Sequence, residues 1–410
     1  MTYSLEKDKI KILLLENISQ CAVDAFHQAG YHNIEQLNGS LNGTQLIEKL
    51  KDTRILGIRS RTHLNEFIFN NAPKLIAVGC FCIGTNQVNL TSAEHNGTAV
   101  FNAPFSNTRS VAELVIGQMI LLMRNIPKKN ADLHRGIWNK SASNSFEVRG
   151  KTLGIIGYGH IGSQVSVLAE SLGLKVIFYD IVNRLPLGNA SAVNSLDELL
   201  KHSDIVSLHV PETELTQNMI NQNQLALMKD TAVLINASRG NVIEIDALYQ
   251  SLKQGRFLGA AIDVFPEEPQ SNQQSFNSPL IEFDRVILTP HIGGSTEEAQ
   301  ENIGIEVAQK LIHYSDNGST LSAVNFPQAS LPMHATACRL LHIHVNQPGM
   351  MRQINRVCSE SNINILGQYL QTTATIGYVV MDIETDKHTA LSLLAKLKTI
   401  DGTIRSRILY

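Results

Sequence analysis

Short apolar runs recur along the chain, and segments with the spacing of amphipathic helices separate them. The N-terminal runs are KILLLE, ILGIRS and LIAVGCF, and the segments between them include QCAVDAFHQAG and TQLIEKLK. Strands that are buried on both faces have continuous apolar sequences, and their alternation with helices is typical of βαβ units. The pattern therefore predicts an N-terminal parallel sheet covered by helices.

A second series of apolar runs begins near residue 151. Its members are KTLGIIGYG, KVIFYD, DIVSLHV, AVLINAS, LGAAIDVF and RVILTPH. Six short strands with helix-sized spacers predict a doubly wound, Rossmann-type domain. Long apolar-faced helices flank it, in SNTRSVAELVIGQMILLMRNI and STEEAQENIGIEVAQKLIHYS. We therefore expect the chain to leave the first domain (1–106), build the second (107–294) and return to the first (295–326).

The C-terminal pattern differs from both. The segment NFPQASLPMHAT is rich in proline and small residues, which predicts a linker over 327–337. Residues 338–410 then follow the order strand, helix, strand, strand, helix, strand. This β-α-β-β-α-β order predicts a ferredoxin-like domain.

Composition narrows the class of protein. The chain has 410 residues, 43% of them hydrophobic and 17% charged, which is typical of a soluble globular protein with several domains. A net charge of -3 provides no basic field for nucleic acid. No signal peptide and no membrane-spanning run is visible, and the 5 cysteines suggest reduced thiols. We therefore expect a cytoplasmic protein that binds neither nucleic acid nor membrane.

A glycine-rich turn opens the second domain. Gly157, Gly159 and Gly162 lie between a predicted strand and helix. They permit a tight turn, close approach of backbone to a pyrophosphate, and close packing of helix on strand. Asp180 ends the next strand, where a carboxylate accepts hydrogen bonds from ribose hydroxyls and repels a 2′-phosphate. These residues predict NAD rather than NADP, although Arg184 could either accommodate a 2′-phosphate or be solvated.

Four polar residues follow successive strands of the same domain: Arg239, Asp263, Glu268 and His291. Oxidation of a 2-hydroxy acid needs a cation for the carboxylate and a group that takes the hydroxyl proton. Arg239 suits the carboxylate and His291 the proton. A carboxylate such as Glu268 would favour the imidazolium and orient the ring. Each residue alone could be an ordinary surface group, but together they predict a catalytic site.

The motifs GYGHIG, NASRG, DVFPEEP and TPHIGGST carry a resemblance to the D-2-hydroxyacid dehydrogenase family. The resemblance implies a flavodoxin-like substrate domain and the catalytic roles just described. Taken with the C-terminal ferredoxin-like domain, the resemblance extends over nearly the whole chain and implies NAD-dependent oxidation of D-3-phosphoglycerate to 3-phosphohydroxypyruvate. Asp263 would contact the nicotinamide carboxamide. The cofactor-binding residues would be Gly157, Gly159, His160, Ile161, Gly162, Asp180, Ala237, Ser238, Arg239, Asp263, His291, Gly293 and Gly294.

A phosphorylated substrate needs further cations. Arg59, Ser60 and Arg61 follow a predicted strand, and strand alternation would place both arginines on one face. The resemblance adds Asn107 and Lys140 to the substrate-binding residues. The arginines could instead be solvated surface residues. The substrate could be a different D-2-hydroxy acid, such as 2-hydroxyglutarate, or the protein could be a non-catalytic sensor.

The C-terminal domain resembles ACT-type regulatory modules, which pair between subunits. By this resemblance L-serine is the expected effector, bound by His344, Asn346, Gly349 and, from a second subunit, Asn364. If the cofactor-binding domains separately form dimers, this pairing implies a homotetramer. His334, Cys338 and His342 lack zinc-ligand spacing, so we predict no metal site there and expect His342 to be packed or solvated.

Overall fold

The computed structural model describes residues 6–269, 273–332, 334 and 337–409. The chain forms two compact units, one of Met1–Ser106 with Gln300–Tyr410 and the other of Asn107–Ala299. The chain thus leaves the first unit and returns to it. The division into substrate-binding, cofactor-binding, linker and regulatory domains stays a prediction, and residues 333, 335 and 336 of the linker lie outside the described residues.

The N-terminal sheet contains five parallel strands. They are β1 (Lys11–Leu14), β2 (Ile34–Gln36), β3 (Thr53–Ile58), β4 (Ala77–Cys80) and β5 (Ala99–Asn102). The helices of this region are α1 (Gln20–Gln28), α2 (Gly43–Leu50), α3 (Glu66–Asn70) and α4 (Leu90–His95). The strand order β2-β1-β3-β4-β5 is flavodoxin-like, as expected. The strands β4 and β5 are buried throughout, which accounts for their continuous apolar sequences.

The second unit has a seven-stranded parallel sheet, one strand more than predicted. Its strands are β6 (Thr152–Ile156), β7 (Lys175–Tyr179), β8 (Ser191–Ala192), β9 (Ile205–Leu208), β10 (Val233–Asn236), β11 (Gly259–Ile262) and β12 (Val286–Leu288). The order β12-β11-β10-β9-β6-β7-β8 confirms the doubly wound Rossmann-type fold. The direction of winding reverses between β6 and β9, and ligands bind beyond the carboxyl ends of strands at such a point.

Helices cover this second sheet. They are α5 (Thr108–Met123), α6 (Ile126–His134), α7 (His160–Ser171), α8 (Leu196–His202), α9 (Gln222–Leu227) and α10 (Ile245–Lys253), with short 3-10 turns at Gly240–Val242 and Pro279–Glu282. The predicted flanking helices are α5 and α11 (Glu297–Asn317). Residues of α5 such as Val115 and Met119 share a core with Ile155 of β6.

The C-terminal sheet is antiparallel and ferredoxin-like, as predicted. Its elements are β13 (Cys338–Val345), α12 (Met350–Glu360), β14 (Asn364–Thr372), β15 (Ile376–Glu384), α13 (Lys387–Leu397) and β16 (Thr403–Leu409). The strand order is β14-β15-β13-β16. One face packs on α12 and α13 through residues such as Leu340 and Ile354.

The other face of this sheet belongs to a core that it shares with the N-terminal sheet. Leu341 and Tyr378 from the C-terminal sheet lie in one buried cluster with Ile12 of β1 and with Val307 and Leu311 of α11. The Tyr378 hydroxyl also donates to the Gly318 carbonyl at 2.6 Å. The core of the first unit therefore contains residues from both the N-terminal and the C-terminal sheet.

Candidate active site

The glycine turn after β6 has the geometry that its sequence predicts. Gly157 has a φ of +90°, and a Cβ on it would lie 2.6 Å from the carbonyl oxygen of His209. A Cβ on Gly162 would collide with the Gly157 carbonyl oxygen, whereas a Cβ on Gly159 would meet nothing within 4 Å. Gly159 therefore leaves open space at the N-terminus of α7, where His160 and Ile161 are the first helical residues. Backbone N–H groups in a first helical turn are available to an anion, so the turn fits a dinucleotide pyrophosphate.

Asp180 follows β7 directly and closes the other side of this turn. Its carboxylate accepts hydrogen bonds from the backbone N–H of Tyr158 at 2.8 Å and of Val182 at 2.9 Å. The guanidinium of Arg184 lies 3.6 Å from the same carboxylate. Arg184 is thus an ion-pair partner of Asp180 in this structure.

The turn after β10 is organised by Asn236, a residue whose role the sequence did not reveal. The Asn236 side chain is buried, accepts from the backbone N–H and hydroxyl of Ser238, and donates to the Arg239 carbonyl. Ala237 lies between Asn236 and Ser238, in the turn that Asn236 fixes. Arg239 donates to the Ser238 carbonyl at 2.7 Å. Asn236 therefore sets the path of the backbone that presents Arg239.

Asp263 anchors the loop that carries the predicted catalytic histidine. Its buried carboxylate accepts from the Thr289 hydroxyl at 2.5 Å, from the Ile292 N–H at 2.9 Å and from the Gly293 N–H at 2.8 Å. The His291 N–H donates to the Asp263 carbonyl at 2.8 Å. The sequence predicted only a cofactor contact for Asp263, because these four bonds join positions 26 to 30 residues apart.

His291 and Glu268 form the predicted pair. The His291 Nδ1 lies 2.9 Å from Oε2 and 3.1 Å from Oε1 of Glu268, whose Oε1 also accepts from the Phe265 N–H. His291 has a left-handed backbone, with φ at 53°. Since Nδ1 is engaged, the imidazole Nε2 is the atom left for proton exchange with a substrate.

Electrostatics favour opposite charges on this pair. The hydrogen bond that the Glu268 carboxylate accepts from His291, opposed by burial, raises the pKa of His291, and the charges of Glu268 and Asp263 add to this. Burial tends to raise the pKa of Glu268, but the hydrogen bond and charge of His291 outweigh it and lower that pKa. Arg239 is close enough to act on both pKa values, which it lowers. The arrangement can therefore hold a carboxylate-stabilised imidazolium beside a guanidinium.

Other predicted residues of the second unit have different surroundings. Asn107 is buried directly before α5, and a Cβ on Gly294 would collide with its side-chain nitrogen. Gly293 lies against the Asp263 carboxylate. Lys140 lies on an exposed loop between α6 and β6. Asn107, Gly293 and Gly294 are thus close to the loop that carries His291, whereas Lys140 is solvent-exposed.

In the first unit, Arg59, Ser60 and Arg61 form a turn. Strand β3 ends at Ile58, so the expected strand alternation does not set the direction of the arginine side chains. The buried carboxylate of Glu16 instead accepts from the N–H groups of Arg59 at 3.2 Å and Arg61 at 2.9 Å, and from that of Thr62 at 2.9 Å. Glu16 has φ at 62° and lies 43 to 46 residues earlier, so no local pattern could identify it as the organiser of this turn.

The predicted effector residues lie at two ends of the C-terminal sheet. His344 and Asn346 lie at and beyond the end of β13, and Gly349, with φ at +91°, precedes α12. Asn364 begins β14 opposite Glu384, and Val345 lies opposite Ile376 at the other end of β15. Within one chain, Asn364 therefore lies at the opposite end of β15 from the other three.

The two histidines of β13 are buried. The His342 Nε2 lies 3.1 Å from the Thr403 hydroxyl, and the His344 Nδ1 lies 3.0 Å from the Gly377 carbonyl oxygen. Burial lowers both pKa values, that of His342 to about 4. His342 is therefore a packed residue, one of the two outcomes expected for it.

The described residues contain neither a metal-binding cluster nor a membrane-spanning helix. Across 6–269, 273–332, 334 and 337–409, no three His, Cys, Asp or Glu side chains are grouped as a metal site would need. In the same ranges, no helix combines the length and apolarity needed to cross a membrane.

Family models match both the domain that carries His291 and the C-terminal domain. Residues 116–293 match the family model "D-isomer specific 2-hydroxyacid dehydrogenase, NAD binding domain", and residues 340–405 match "AHAS small subunit-like ACT domain". The chain is 62% identical to D-3-phosphoglycerate dehydrogenase of Haemophilus influenzae and 60% identical to that of Escherichia coli K12. Each alignment has 407 residues and covers 99% of both chains.

Solved structures resemble the chain over most of its length. D-lactate dehydrogenase from Aquifex aeolicus, complexed with NAD and lactic acid, is 27% identical with a TM-score of 0.67. It covers 78% of this chain and 100% of its own. D-2-hydroxyisocaproate dehydrogenase is 27% identical with a TM-score of 0.70, covering 77% and 100%. The matches confirm the predicted fold classes and NAD as the cofactor.

Proposed function

Because the chain belongs to the D-3-phosphoglycerate dehydrogenase family, we propose that it oxidises D-3-phosphoglycerate at C2 to 3-phosphohydroxypyruvate, the first step of L-serine biosynthesis. The chain is an NAD-dependent oxidoreductase. The observation that carries the proposed chemistry is the 2.9 Å contact of His291 with Glu268, under the influence of Arg239.

Each residue of this group has one task. The Arg239 guanidinium binds the substrate carboxylate and draws electron density from the adjacent carbon. The His291 Nε2 takes the C2 hydroxyl proton, and Glu268 stabilises the imidazolium that results. Bound NAD supplies the hydride acceptor. Asp263 and Asn236 hold the two loops so that imidazole and guanidinium keep their positions.

Further contacts are proposed for both ligands. The glycine turn at 157–162 would hold the pyrophosphate and Asp180 the adenosine ribose, with Ala237, Ser238, Asp263, Gly293 and Gly294 along the rest of the dinucleotide. Arg59, Ser60 and Arg61 would bind the substrate phosphate, together with Asn107 and Lys140. Guanidinium groups suit a phosphate dianion because they donate two parallel hydrogen bonds.

A substrate panel tests the proposal. NADH absorbance should rise with D-3-phosphoglycerate, and kcat/KM should be lower for D-2-hydroxyglutarate and D-lactate. Arg61→Ala should raise KM for the phosphorylated acid more than for the others. Equal kcat/KM values across the three acids in the unmodified enzyme would contradict the proposed substrate.

We also propose feedback regulation by L-serine at His344, Asn346 and Gly349, completed by Asn364 of a second subunit. The matched ACT model supports effector binding, and Asn364 could join the other three only from another copy. Asn346→Ala should reduce inhibition by serine. Asn355→Ala, an exposed asparagine on α12, is the matched control. Equal inhibition in both variants would contradict the assignment.

A homotetramer and a cytoplasmic location remain predictions. Pairing of the ACT module with another copy and separate pairing of the cofactor domain would give four chains. The five cysteines are free thiols in the structure, which supports a reducing compartment. Sedimentation equilibrium tests the tetramer, which a dimer mass would contradict, and cell fractionation tests the location.

A further inference from the structure

A second cationic site lies in the first unit, apart from Arg59 and Arg61. A cavity of about 470 Å³ separates strand β16 from the segments around β3, β4 and α4. Five of its lining residues can carry positive charge: Arg54, His95, Lys398, Arg405 and Arg407. Aspartate and glutamate are absent from the described lining. The cavity therefore concentrates charge of one sign.

Among the described residues these cations form no ion pairs, although the charge of Asp52 acts on Arg54. In the described part of the chain, no carboxylate lies within 4.0 Å of a charged nitrogen of Arg54, Lys398, Arg405 or Arg407 as an ion pair. Burying a charge without a counter-ion is unfavourable, and burial acts on Arg54 and Arg405 in this cavity. An external anion would supply the missing partner.

Arg405 is the most tightly held member of the group. Its Nη1 donates to the Leu75 carbonyl at 2.7 Å, and its Nη2 donates to the Asn96 carbonyl at 2.8 Å and the Pro73 carbonyl at 3.2 Å. Burial lowers the pKa of Arg405 to about 10, and the nearby charges of Arg407 and Arg54 act in the same direction. The guanidinium is thus fixed in place beside like charges.

Arg407 supplies an unused donor. Its guanidinium stacks over the Tyr314 ring at 5.2 Å, and its Nη2 donates to the Ser315 carbonyl at 3.3 Å. Its Nη1 is buried and has no hydrogen-bond partner in the described structure. A buried donor without an acceptor is unfavourable, so Arg407 would gain a hydrogen bond by turning this nitrogen towards an acceptor oxygen in the cavity.

We propose that this cavity binds a phosphoryl dianion, either inorganic phosphate or the phosphate of a small phosphomonoester. A doubly charged tetrahedral oxyanion suits a lining that carries several cations, and it could accept from Arg407 once the buried Nη1 turns into the cavity. The site contains residues of the C-terminal strand and of the N-terminal sheet, so an occupying anion contacts both parts of the first unit. It is separate from the substrate and serine residues proposed above.

The test uses the full-length protein in an Arg59→Ala/Arg61→Ala background, which removes the cations proposed for the substrate phosphate. Equilibrium dialysis with labelled inorganic phosphate, at constant ionic strength set with sodium chloride, should detect about one bound phosphate per chain. Lys398→Gln and Arg407→Gln should each weaken that binding by about tenfold or more. Lys396→Gln removes the same charge from the last turn of α13, two residues before Lys398 and outside the cavity, and should leave the affinity unchanged.

Lys398 is exposed, so its variant reports on binding even if Arg407→Gln disturbs the fold, which circular dichroism would reveal. Competition by glycerol 3-phosphate would show that a phosphomonoester enters the cavity, and its failure to compete would identify free phosphate as the ligand. The proposal is overturned if the double-alanine background binds no phosphate. It is equally overturned if Lys398→Gln and Lys396→Gln bind phosphate alike.

Discussion

His291 and His342 occupy opposite environments in the same chain. His291 lies on a loop after β12 and contacts the Glu268 carboxylate at 2.9 Å. His342 is buried in β13, where its hydrogen-bond partner is the neutral hydroxyl of Thr403. The carboxylate raises the pKa of His291, whereas burial lowers that of His342 to about 4. A histidine's charge is therefore decided by its partners, and its place in the sequence alone does not reveal them.

The comparison also separates two uses of the residue. A general base must exchange its proton near the operating pH, which a half-exposed ring beside a carboxylate allows. A buried neutral ring instead contributes packing and a fixed hydrogen bond, and protonation would oppose the fold. The following substitutions test this contrast, beginning with the largest expected effect.

His291→Asn should reduce kcat by about 10³-fold, because asparagine cannot accept the substrate proton and acid–base catalysis contributes roughly 10² to 10⁴. NADH affinity should change little. Turnover measured by NADH absorbance and binding measured by NADH fluorescence separate the two effects. A loss of less than about tenfold would remove His291 from the proton-transfer role.

Glu268→Gln should shift the pH dependence of turnover to lower pH. The carboxylate raises the pKa of His291, so its removal lowers the pH at which the imidazole becomes neutral and able to take a proton. Oxidation should then begin to rise at a more acidic pH, and reduction of the keto acid should be lost at a more acidic pH. Glu267→Gln is the control, because it removes an exposed carboxylate next to Glu268. An unshifted kcat/KM profile for Glu268→Gln would contradict the pairing.

His342 should make the folded chain less stable in acid. Its pKa is lowered from 6.5 to about 4, so protons bind preferentially to the unfolded chain. The stabilisation is complete above about pH 6.5 and declines towards pH 4, by on the order of 2 kcal/mol between pH 7 and pH 5. His342→Gln should remove this part of the decline in denaturant unfolding. His388→Gln, at an exposed position, should retain it. Identical pH dependence in both variants would show that His342 is not the group responsible.

His334→Gln should change stability least, by less than about 1 kcal/mol. Its ring is half-exposed and contacts Asp382 at 2.9 Å, but that buried carboxylate is already paired with Arg339 through two bonds of 2.7 Å. The His334 contact therefore adds little to stability, because Arg339 already binds both oxygens of Asp382. Chemical denaturation measures the difference, and a loss above about 2 kcal/mol would show that His334 is an essential partner of Asp382.

Sequence was informative wherever the physical requirement is local. The glycine turn at 157–162 follows from steric demands within six residues, and Asp180 from the length of one βαβ unit. The continuous apolar runs located most strands for the same reason. The two-residue strand β8 carries no such run, because it is exposed at a sheet edge and buries nothing.

Sequence was uninformative where a contact joins distant segments. Glu16 organises the Arg59 turn, and Asp263 holds the His291 loop, through backbone N–H groups that no side-chain pattern marks. The burial of His342 likewise depends on which strands pair with β13. Such roles become visible only when the fold has brought the segments together.

The core of the first unit has a consequence for how the protein is made. Ile12 near the start and Leu409 near the end of the chain belong to one apolar cluster. A ribosome delivers these two parts separated by the time needed to synthesise the whole second unit. Part of the apolar surface of the N-terminal sheet therefore stays uncovered until β16 has been synthesised.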